Sequence, residues 1–385
     1  MIRLLHLADL HLGAKPSYLG TRSLERSNDF FRAFEKAVSF AINPTNNINV
    51  VVIAGDFFDS SRPSPKCLES TIKQLRKLKA ANIPTIVVPG NHDSFSMPGS
   101  IYSDKDSPLN ELIYFPDSPN PKHFCEFIIN GSIVHFYGMI WDPKLSSPPY
   151  DQFRTETNEG YHIAVLHSTL INARFQDLHS RDIPLNLDEL AKTGMDYIAL
   201  GHIHSPQEFK AGNIPVVYPG TLEGKRLSPS ETGKRYLHIV TLEKGKHHSI
   251  EKLVWNNKTI ILKKINIEKN AINNQEELIK YIRSEFASEK YILKLELTGV
   301  SPFSLNEEEI TNKLANDFFF IRIIDNSDLF DSVLIDSWES ENTIRGLFVR
   351  KLQALMKDAH NKQEEHRIEL ALKLGVQSFQ KYKGD

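Results

Sequence analysis

The residues of this chain best suited to chemistry are carboxylates, imidazoles and one carboxamide that follow short apolar segments. Asp9 and His11 come directly after residues 2–8, an apolar run with the length of a buried strand. Side chains two residues apart in an extended segment point to the same side, so both can reach one point in space. A carboxylate and an imidazole aimed together suggest half of a metal site. For this pair alone, a polar turn at a strand end is the better interpretation.

The same arrangement recurs after four later apolar segments. The full set of strand-end residues is Asp9, His11, Asp56, Asn91, His92, His167, His202 and His204. In open α/β sheets the functional crevice lies at the carboxyl ends of the strands, so we expect this set to converge. The donors exceed what one ion takes while leaving room for a substrate, and they fit two ions that share a carboxylate. Two cations about 3.5–4 Å apart can clamp the attacking and leaving oxygens of a phosphoryl group.

Alternating strands and helices must position these residues. We predict strands at 2–8, 48–54, 84–88, 126–129, 133–138, 161–166, 197–200, 215–218 and 236–242, with helices at 21–42, 64–81 and 187–192. The βαβαβ start predicts a parallel-type sheet, because only such a sheet brings the distant strand ends to one edge. The Pro-, Ser- and Asp-rich residues 96–130 are expected to form a surface excursion.

The pattern of the chain changes near Trp255. Residues 256–335 predict a small second α/β domain without clustered histidines, and residues 336–385 predict a helical segment. We therefore divide the chain into 1–255, 256–335 and 336–385. The terminal helices are expected either to pack on their own domain or to dock onto a partner.

Composition narrows the class of protein. The chain has 385 residues, 40% hydrophobic and 24% charged, with a net charge of −2, so a polyanion could be held only by a local patch. Two cysteines are too few for a disulfide framework, and we expect reduced thiols in a cytoplasmic protein. No apolar run is long enough to span a bilayer, and no export signal is evident.

Five motifs together resemble the calcineurin-like metallophosphoesterase family. They are Asp9-Leu-His11, Gly55-Asp56, Gly90-Asn91-His92-Asp93, His167 and Gly201-His202-Ile-His204. The resemblance extends from residue 1 to about 245. Within the family it is closest to the SbcD/Mre-type DNA repair exonucleases and their YhaO-like relatives, through Gly55-Asp-Phe-Phe-Asp59 and the segment 218–226. Many Mre-type members have histidine at the position of Asp59, a departure that concerns the mechanism ascribed to that position and not the metal site.

The resemblance implies a fold, a metal centre and an activity. The fold is an α/β metallophosphoesterase β-sandwich flanked by helices, with a small α/β capping domain that contacts DNA and with C-terminal helices. Two divalent ions, most consistent with Mn²⁺, would each be held by one set of ligands. Asp56 belongs to both sets and would bridge the ions. The first set is Asp9, His11, Asp56 and His204, and the second is Asp56, Asn91, His167 and His202. His92 would face the scissile phosphate without binding metal.

The implied function is that of a two-metal DNA nuclease, exo- or endonucleolytic. In the family such subunits act as a homodimer beside an SMC-like ABC ATPase of the SbcC type, which the C-terminal helices would bind, on DNA at the nucleoid. The alternatives are a phosphoesterase for small phosphomonoesters or cyclic nucleotides and a non-catalytic scaffold. Structural metal sites are usually closed and hold a single ion, which disfavours the scaffold.

Two basic clusters could contact DNA phosphates. The first contains Lys15, Tyr18, Arg22 and Arg26, with Tyr18 able to stack on a base, and the second contains Lys225, Arg226, Lys234 and Arg235. A solvated surface is the alternative for both clusters, and of these residues we select Tyr18, Arg22, Lys225 and Arg226. The remaining histidines in or near apolar runs, His6, His123, His135, His162, His179 and His238, are expected to be ordinary strand or surface residues.

Overall fold

The structure is a computed structural model that describes residues 1–142, 148, 150–171, 183–245, 248–303, 305–329 and 332–381. It divides into two compact units, Met1–Ile260 and Ile261–Asp385. The functional division at residues 255 and 335 remains a prediction. Both cysteines are free thiols, as expected, and Cys67 is buried.

The described part of the first unit contains two large sheets and a two-stranded sheet. Its strands are β1 (Ile2–Leu7), β2 (Val50–Ala54), β3 (Thr85–Val88), β4 (Lys122–Ile129), β5 (Ser132–Gly138), β6 (Tyr161–His167), β7 (Thr169–Leu170), β8 (Pro184–Leu185), β9 (Tyr197–Gly201), β10 (Gln207–Ala211), β11 (Ile214–Tyr218), β12 (Tyr236–Leu242) and β13 (Ser249–Val254). The first sheet has the order β13-β12-β1-β2-β3, the second has the order β10-β11-β9-β6-β5-β4, and the two-stranded sheet is formed by β7 and β8. Strands β1, β2 and β3 are parallel, as are β5, β6, β9 and β11. The strand ends therefore belong to two sheets, not to one as predicted.

Successive residues of the central strands face opposite sides of the sheet, so each strand contributes to two core layers. On β1, Leu4 faces the interior between the two sheets, and Leu5 faces the layer that contains Phe34 of helix α1 (Ser23–Ile42). Helix α2 (Pro65–Ala80) is capped at its N-terminus by Ser64, whose side chain accepts a hydrogen bond from the Cys67 amide. Pro65 is its first residue. A short helix α3 (Leu187–Leu190) accompanies the second sheet. The prediction of a mixed α/β fold with sheets flanked by helices is confirmed.

Residues 96–130 are not simply a surface excursion, contrary to our expectation. Tyr102, Leu109 and Ile113 are buried in the core beside α1 and α2. The segment looked exposed because its proline, serine and aspartate residues outnumber these apolar anchors.

The second unit is built around a three-stranded sheet with the order β14-β15-β17. Its elements are β14 (Thr259–Asn266), α4 (Gln275–Phe286), β15 (Ser288–Thr298), β16 (Val300–Ser301), α5 (Glu307–Leu314), β17 (Phe318–Asp325), β18 (Asp328–Leu329), α6 (Ser332–Glu339), α7 (Ile344–Lys357) and α8 (Lys362–Lys381). Ile335, Trp338, Val349, Leu372 and Val376 form a separate apolar cluster among the last three helices.

A buried ion pair joins α1 to the segment that precedes β12. Arg26 is fully buried, and its guanidinium donates to Glu223 Oε2 at 2.6 Å, to Asp29 Oδ2 at 3.3 Å and to the Gly224 carbonyl at 2.6 Å. Removing one partner of such a pair leaves an uncompensated charge in the interior.

We expect Glu223→Ala to lower the free energy of unfolding by about 3 kcal/mol, because the buried Arg26 guanidinium then keeps the Gly224 carbonyl but only one carboxylate, that of Asp29 at 3.3 Å. Glu25→Ala is the control, since the Arg22–Glu25 pair is exposed and should contribute less than about 1 kcal/mol. Urea unfolding of the full chain followed by circular dichroism measures both. Equal losses in the two variants would contradict the structural role of Glu223.

Candidate metal centre

The eight strand-end residues converge at the carboxyl ends of β1, β2, β3, β6 and β9. Four of them have a positive φ, namely Asp9 (51°), His11 (44°), Asp56 (46°) and His202 (97°). This backbone conformation costs about 1–3 kcal/mol per residue when the side chain is not glycine, and it clusters at functional sites. Here the pairing of β1 with β2 continues into the turns, where the Asp9 amide donates to the Gly55 carbonyl at 3.0 Å and the His11 amide to the Asp56 carbonyl at 2.9 Å.

Two glycines allow these turns to approach one another. A Cβ atom on Gly55 would lie 1.9 Å from His167 Nδ1, and one on Gly90 would lie 2.2 Å from Asp56 Oδ1. Neither distance is sterically possible, so these positions require glycine. Glycine is therefore required in the motifs Gly55-Asp56 and Gly90-Asn91, because the side chain of a neighbouring candidate metal ligand occupies the space that a Cβ atom would fill.

One group of donors lies around Asp9. Ligand atoms of Asp9, His11 and His204 all lie within 4.8 Å of one another, and the two imidazole Nε2 atoms are 3.2 Å apart. The amide of His202 donates to both Asp9 carboxylate oxygens, at 3.0 and 3.1 Å, which fixes the carboxylate.

Asp56 lies between this group and a second one. Its Oδ2 atom is 3.6 Å from His11 Nε2 and 3.7 Å from His167 Nε2, while its Oδ1 atom accepts from the His92 amide at 2.9 Å. His167 Nε2 in turn lies 2.9 Å from Asn91 Oδ1 and 3.3 Å from His202 Nδ1. The carboxylate of Asp56 is thus placed where both groups can use it.

The electrostatics of the cluster call for added positive charge. Among the described residues, the salt-bridge partners of buried Asp9 and Asp56 are imidazoles. Burial lowers the pKa of His11 and of His167 to about 4, so both rings are neutral near pH 7, which is the form that binds metal. Burial raises the pKa of Asp9 to about 7, the response of a carboxylate that lacks a cation.

The residues present therefore fit divalent cations. Burying ionised carboxylates is costly unless they are paired or coordinate metal, and the converging imidazoles carry lone pairs that a cation can accept. The structure brings together all seven predicted ligands, but their division between two ions remains a proposal.

His92 differs from the buried donors in its exposure. About 30% of its side chain is accessible, whereas His11 and His167 are nearly fully buried. Its ring centroid is 4.7 Å from that of His11, and its Nδ1 atom is 3.3 Å from the carbonyl oxygen of Asp59. The ring is therefore held at the rim of the cluster with one side open.

Asp59 connects the cluster to Lys225. Its Oδ1 atom lies 3.2 Å from His11 Nδ1 and forms an ion pair with Lys225 Nζ, which is itself 3.3 Å from His11 Nδ1. The pair includes the residue at which this chain departs from many Mre-type members, and it places an ammonium group beside a candidate ligand.

Glu231 is a site residue that sequence reasoning missed. Its buried Oε1 atom accepts from His204 Nδ1 at 2.6 Å, and its Oε2 atom accepts from the Lys225 amide at 2.9 Å. Burial alone would raise the pKa of Glu231, but His204 lowers it to about 2. No motif marks Glu231, which lies in a 3₁₀ turn 27 residues after its partner.

Asp93 stabilises the turn that carries Asn91 and His92. Its carboxylate accepts from the amides of Gly90 at 2.7 Å and Phe58 at 3.0 Å, and from the Tyr102 hydroxyl at 2.9 Å. Burial raises its pKa to about 7.

A cleft of about 530 Å³ opens onto the cluster. Its lining includes Asp56, Asn91, His92, His202, His204, Arg226 and residues 228–231. Arg226 is exposed here, whereas the ammonium group of Lys225 is directed to Asp59. Tyr18 and Arg22 lie on the 3₁₀ helix Ser17–Arg22 and do not line this cleft.

Two basic residues of the predicted DNA-contacting clusters are buried, so that prediction is wrong for them. Arg26 pairs with Glu223 and Asp29, and Arg235 donates to the carbonyls of His204 and Ser230. Both guanidinium groups stabilise the fold and cannot reach a polymer on the surface.

The other histidines that the structure describes lie outside the cluster. His6, His123, His135, His162 and His238 lie in strands, as expected, and His179 lies outside the described residues. The described part of the chain includes no helix with both the length and the apolarity needed to cross a membrane.

An α/β sandwich with a cation-binding cluster at its strand ends defines the class of metal-dependent phosphoester hydrolases. Residues 2–206 match the family model for calcineurin-like phosphoesterases, and the chain belongs to that family. Among curated proteins it is 29% identical over 249 residues to the uncharacterized metallophosphoesterase YhaO of Bacillus subtilis, a match that covers 63% of this chain and 57% of that protein.

Two other relatives are named as DNA double-strand break repair proteins Mre11. The Methanosarcina mazei protein is 32% identical over 246 residues, covering 63% of this chain and 36% of that protein. The Saccharolobus solfataricus protein is 26% identical over 314 residues, covering 78% of this chain and 76% of that protein. The chain thus matches only about half of YhaO and about a third of the Methanosarcina protein.

We expect Glu231→Gln to weaken divalent cation binding by roughly 10–100-fold, because it removes the charge that orients His204 and sets its tautomer. Glu159→Gln, at an exposed position, is the control and should bind normally. Calorimetric titration of the chelator-stripped proteins with Mn²⁺ measures the effect. Identical affinities in the two variants would show that Glu231 does not support the centre.

Proposed function

We propose that this chain is a manganese-dependent DNA nuclease that hydrolyses phosphodiester bonds. The observation that carries the proposal is the position of Asp56 between two donor groups at the floor of an open cleft with an exposed arginine. Hydrolysis of a phosphate ester needs positive charge on both the attacking and the leaving side, and a shared carboxylate can hold two such charges close together.

The ligand sets follow the two donor groups. Asp9, His11, Asp56 and His204 would hold one cation, and Asp56, Asn91, His167 and His202 would hold the other. Bound ions would supply charge that polarises the phosphodiester and lowers the pKa of water. Mixed imidazole, carboxylate and carboxamide donors favour Mn²⁺, iron or zinc over calcium, and we select Mn²⁺.

The chain's own residues would orient the substrate and move a proton. His92 faces the cleft with its Nδ1 atom near the Asp59 carbonyl, so its ring is held for contact with the scissile phosphate or for proton donation to the leaving oxygen. The ammonium group of Lys225 adds charge beside His11. Lys225 is therefore better placed to act next to the scissile group than on a distant phosphate.

Several features favour a polymeric substrate. The cleft is open, and it is lined by Arg226 and by Ser228 and Ser230, side chains that commonly contact phosphates. We propose that Tyr18, Arg22 and Arg226 contact the DNA strand beyond the bond that is hydrolysed. Lys225 would contact the DNA close to that bond. Two relatives are named as DNA double-strand break repair proteins, which supports DNA as the polymer.

The C-terminal helices offer a surface for a partner. On α7, Ile344, Leu347 and Leu355 are 80%, 55% and 52% exposed, and their spacing places them on one face. Such a face fits helix-in-groove docking. We propose that it binds the base of an SMC-like ABC ATPase of the SbcC type, in a homodimeric complex on DNA in the cytoplasm.

With Mn²⁺, the purified chain should degrade linear double-stranded DNA faster than it hydrolyses a cyclic nucleotide, because the open cleft, with Arg226, Ser228 and Ser230 on its lining, can hold more than one phosphate. Comparing kcat/KM for the two substrates measures the preference, with Asp56→Asn as the inactive control. A higher kcat/KM for the cyclic nucleotide would replace the nuclease proposal with that of a small-molecule phosphodiesterase.

We expect His92→Ala to reduce DNA cleavage by about 10²–10⁴-fold while the bound metal content stays unchanged, because the ring acts on the substrate and not on the ions. Asn91→Ala is the informative comparison and should lose metal as well as activity. Metal analysis together with a cleavage assay distinguishes the two. Loss of the ions from His92→Ala would make this residue a ligand instead.

The double variant Ile344→Glu/Leu347→Glu should abolish co-elution with the SMC-like ATPase of the same organism, because charges would replace two of the three exposed apolar side chains on this face of α7. Leu24→Glu, which changes an apolar residue that is 72% exposed on α1, should co-elute normally. Nuclease activity of the α7 variant should remain intact. Undiminished co-elution of the variant would exclude this face as the docking site.

A further inference from the structure

A second group of metal-binding side chains lies in the first unit, on strands β4 and β5. His135 Nδ1 is 3.0 Å from Glu126 Oε2 and 3.4 Å from His123 Nε2, and the Glu126 and His123 atoms are 3.6 Å apart. These residues lie outside the strand-end cluster and outside the cleft that opens onto it.

A β-bulge brings the three side chains to the same face. His123 pairs with Tyr137 and Glu126 pairs with His135, but the register shifts between His123 and Cys125. In a regular strand, residues three apart point to opposite faces, so His123 and Glu126 could not meet. The extra residue reverses the alternation once, and bulges of this kind often aim side chains at functional positions.

The spacing of the three atoms suits a tetrahedral cation. Zinc bonds of about 2.0–2.1 Å to nitrogen and oxygen give neighbouring ligands a separation of about 3.3 Å. The observed separations of 3.0, 3.4 and 3.6 Å centre on that value. Hydrogen bonds alone explain the three short separations less well. If His135 Nδ1 donates to Glu126, it cannot also accept a hydrogen bond from the His123 ring.

Neighbouring residues hold the His135 ring in place. His162 on β6 pairs with His135 in the parallel register, and the two rings stack with centroids 4.8 Å apart and an interplanar angle of 6°. The hydroxyl of Tyr137 lies 3.1 Å from His162 Nδ1, which fixes the second ring. The central donor of the group is therefore preorganised.

We propose that His123 Nε2, His135 Nδ1 and Glu126 Oε2 bind a single Zn²⁺-type transition-metal ion. Two imidazoles and one carboxylate are ligands typical of zinc and not of calcium or magnesium. The side chain of Glu126 is 54% exposed, so water can complete the coordination. The ion would join the edge strand β4 to β5 at its bulge, independently of the reaction in the cleft.

The test compares zinc stoichiometry in full-length proteins. Wild type, His123→Ala/Glu126→Gln and the exposed-site control His360→Ala are stripped with a chelator, dialysed against micromolar Zn²⁺ and analysed for bound metal. His123 and Glu126 are partly exposed, so their replacement spares the core, and circular dichroism checks the fold. The single variant Glu126→Gln retains the shape of the site and should bind its ion more than about tenfold less tightly.

We expect the double variant to hold one zinc ion fewer per chain than wild type, while His360→Ala holds the same number as wild type. An unchanged stoichiometry in the double variant would overturn the proposal, and so would an equal loss in His360→Ala. Because the comparison counts ions by difference, it is independent of how many ions the strand-end cluster holds.

Discussion

Burial of two carboxylates without a cationic side chain is the constraint on which the rest of this structure depends. Asp9 and Asp56 are almost inaccessible, and their described ion-pair partners are imidazoles. Burial keeps His11 and His167 neutral near pH 7, so they offer lone pairs and not positive charge. An external cation would offset the desolvation of the two acids and use the lone pairs of the neutral rings.

The surrounding architecture holds this unfavourable cluster together. Left-handed backbone at Asp9, His11 and Asp56 is stabilised because the pairing of β1 and β2 continues past the strand ends. Glu231 orients His204, and Asp93 holds the turn of Asn91 through backbone amides. The strain is local, and the hydrogen bonds that offset it come from distant parts of the chain.

The sequence predicted the features that depend on neighbouring residues. The helix predicted at 64–81 is Pro65–Ala80, and the strand at 236–242 is Tyr236–Leu242, because caps and apolar runs are local signals. The strand-end donors were visible because each follows such a run. Glu231, the pairing of Arg26 with Glu223 and the bulge in β4 were not visible, because each depends on a contact or register that only the folded chain creates.

The most direct test is anomalous diffraction from crystals of the full chain grown with Mn²⁺. The account predicts two manganese peaks that flank the Asp56 carboxylate, one beside Asp9, His11 and His204 and the other beside Asn91, His167 and His202. A single peak, or peaks that leave Asp56 without a metal contact, would contradict the central claim that this buried carboxylate joins two cations.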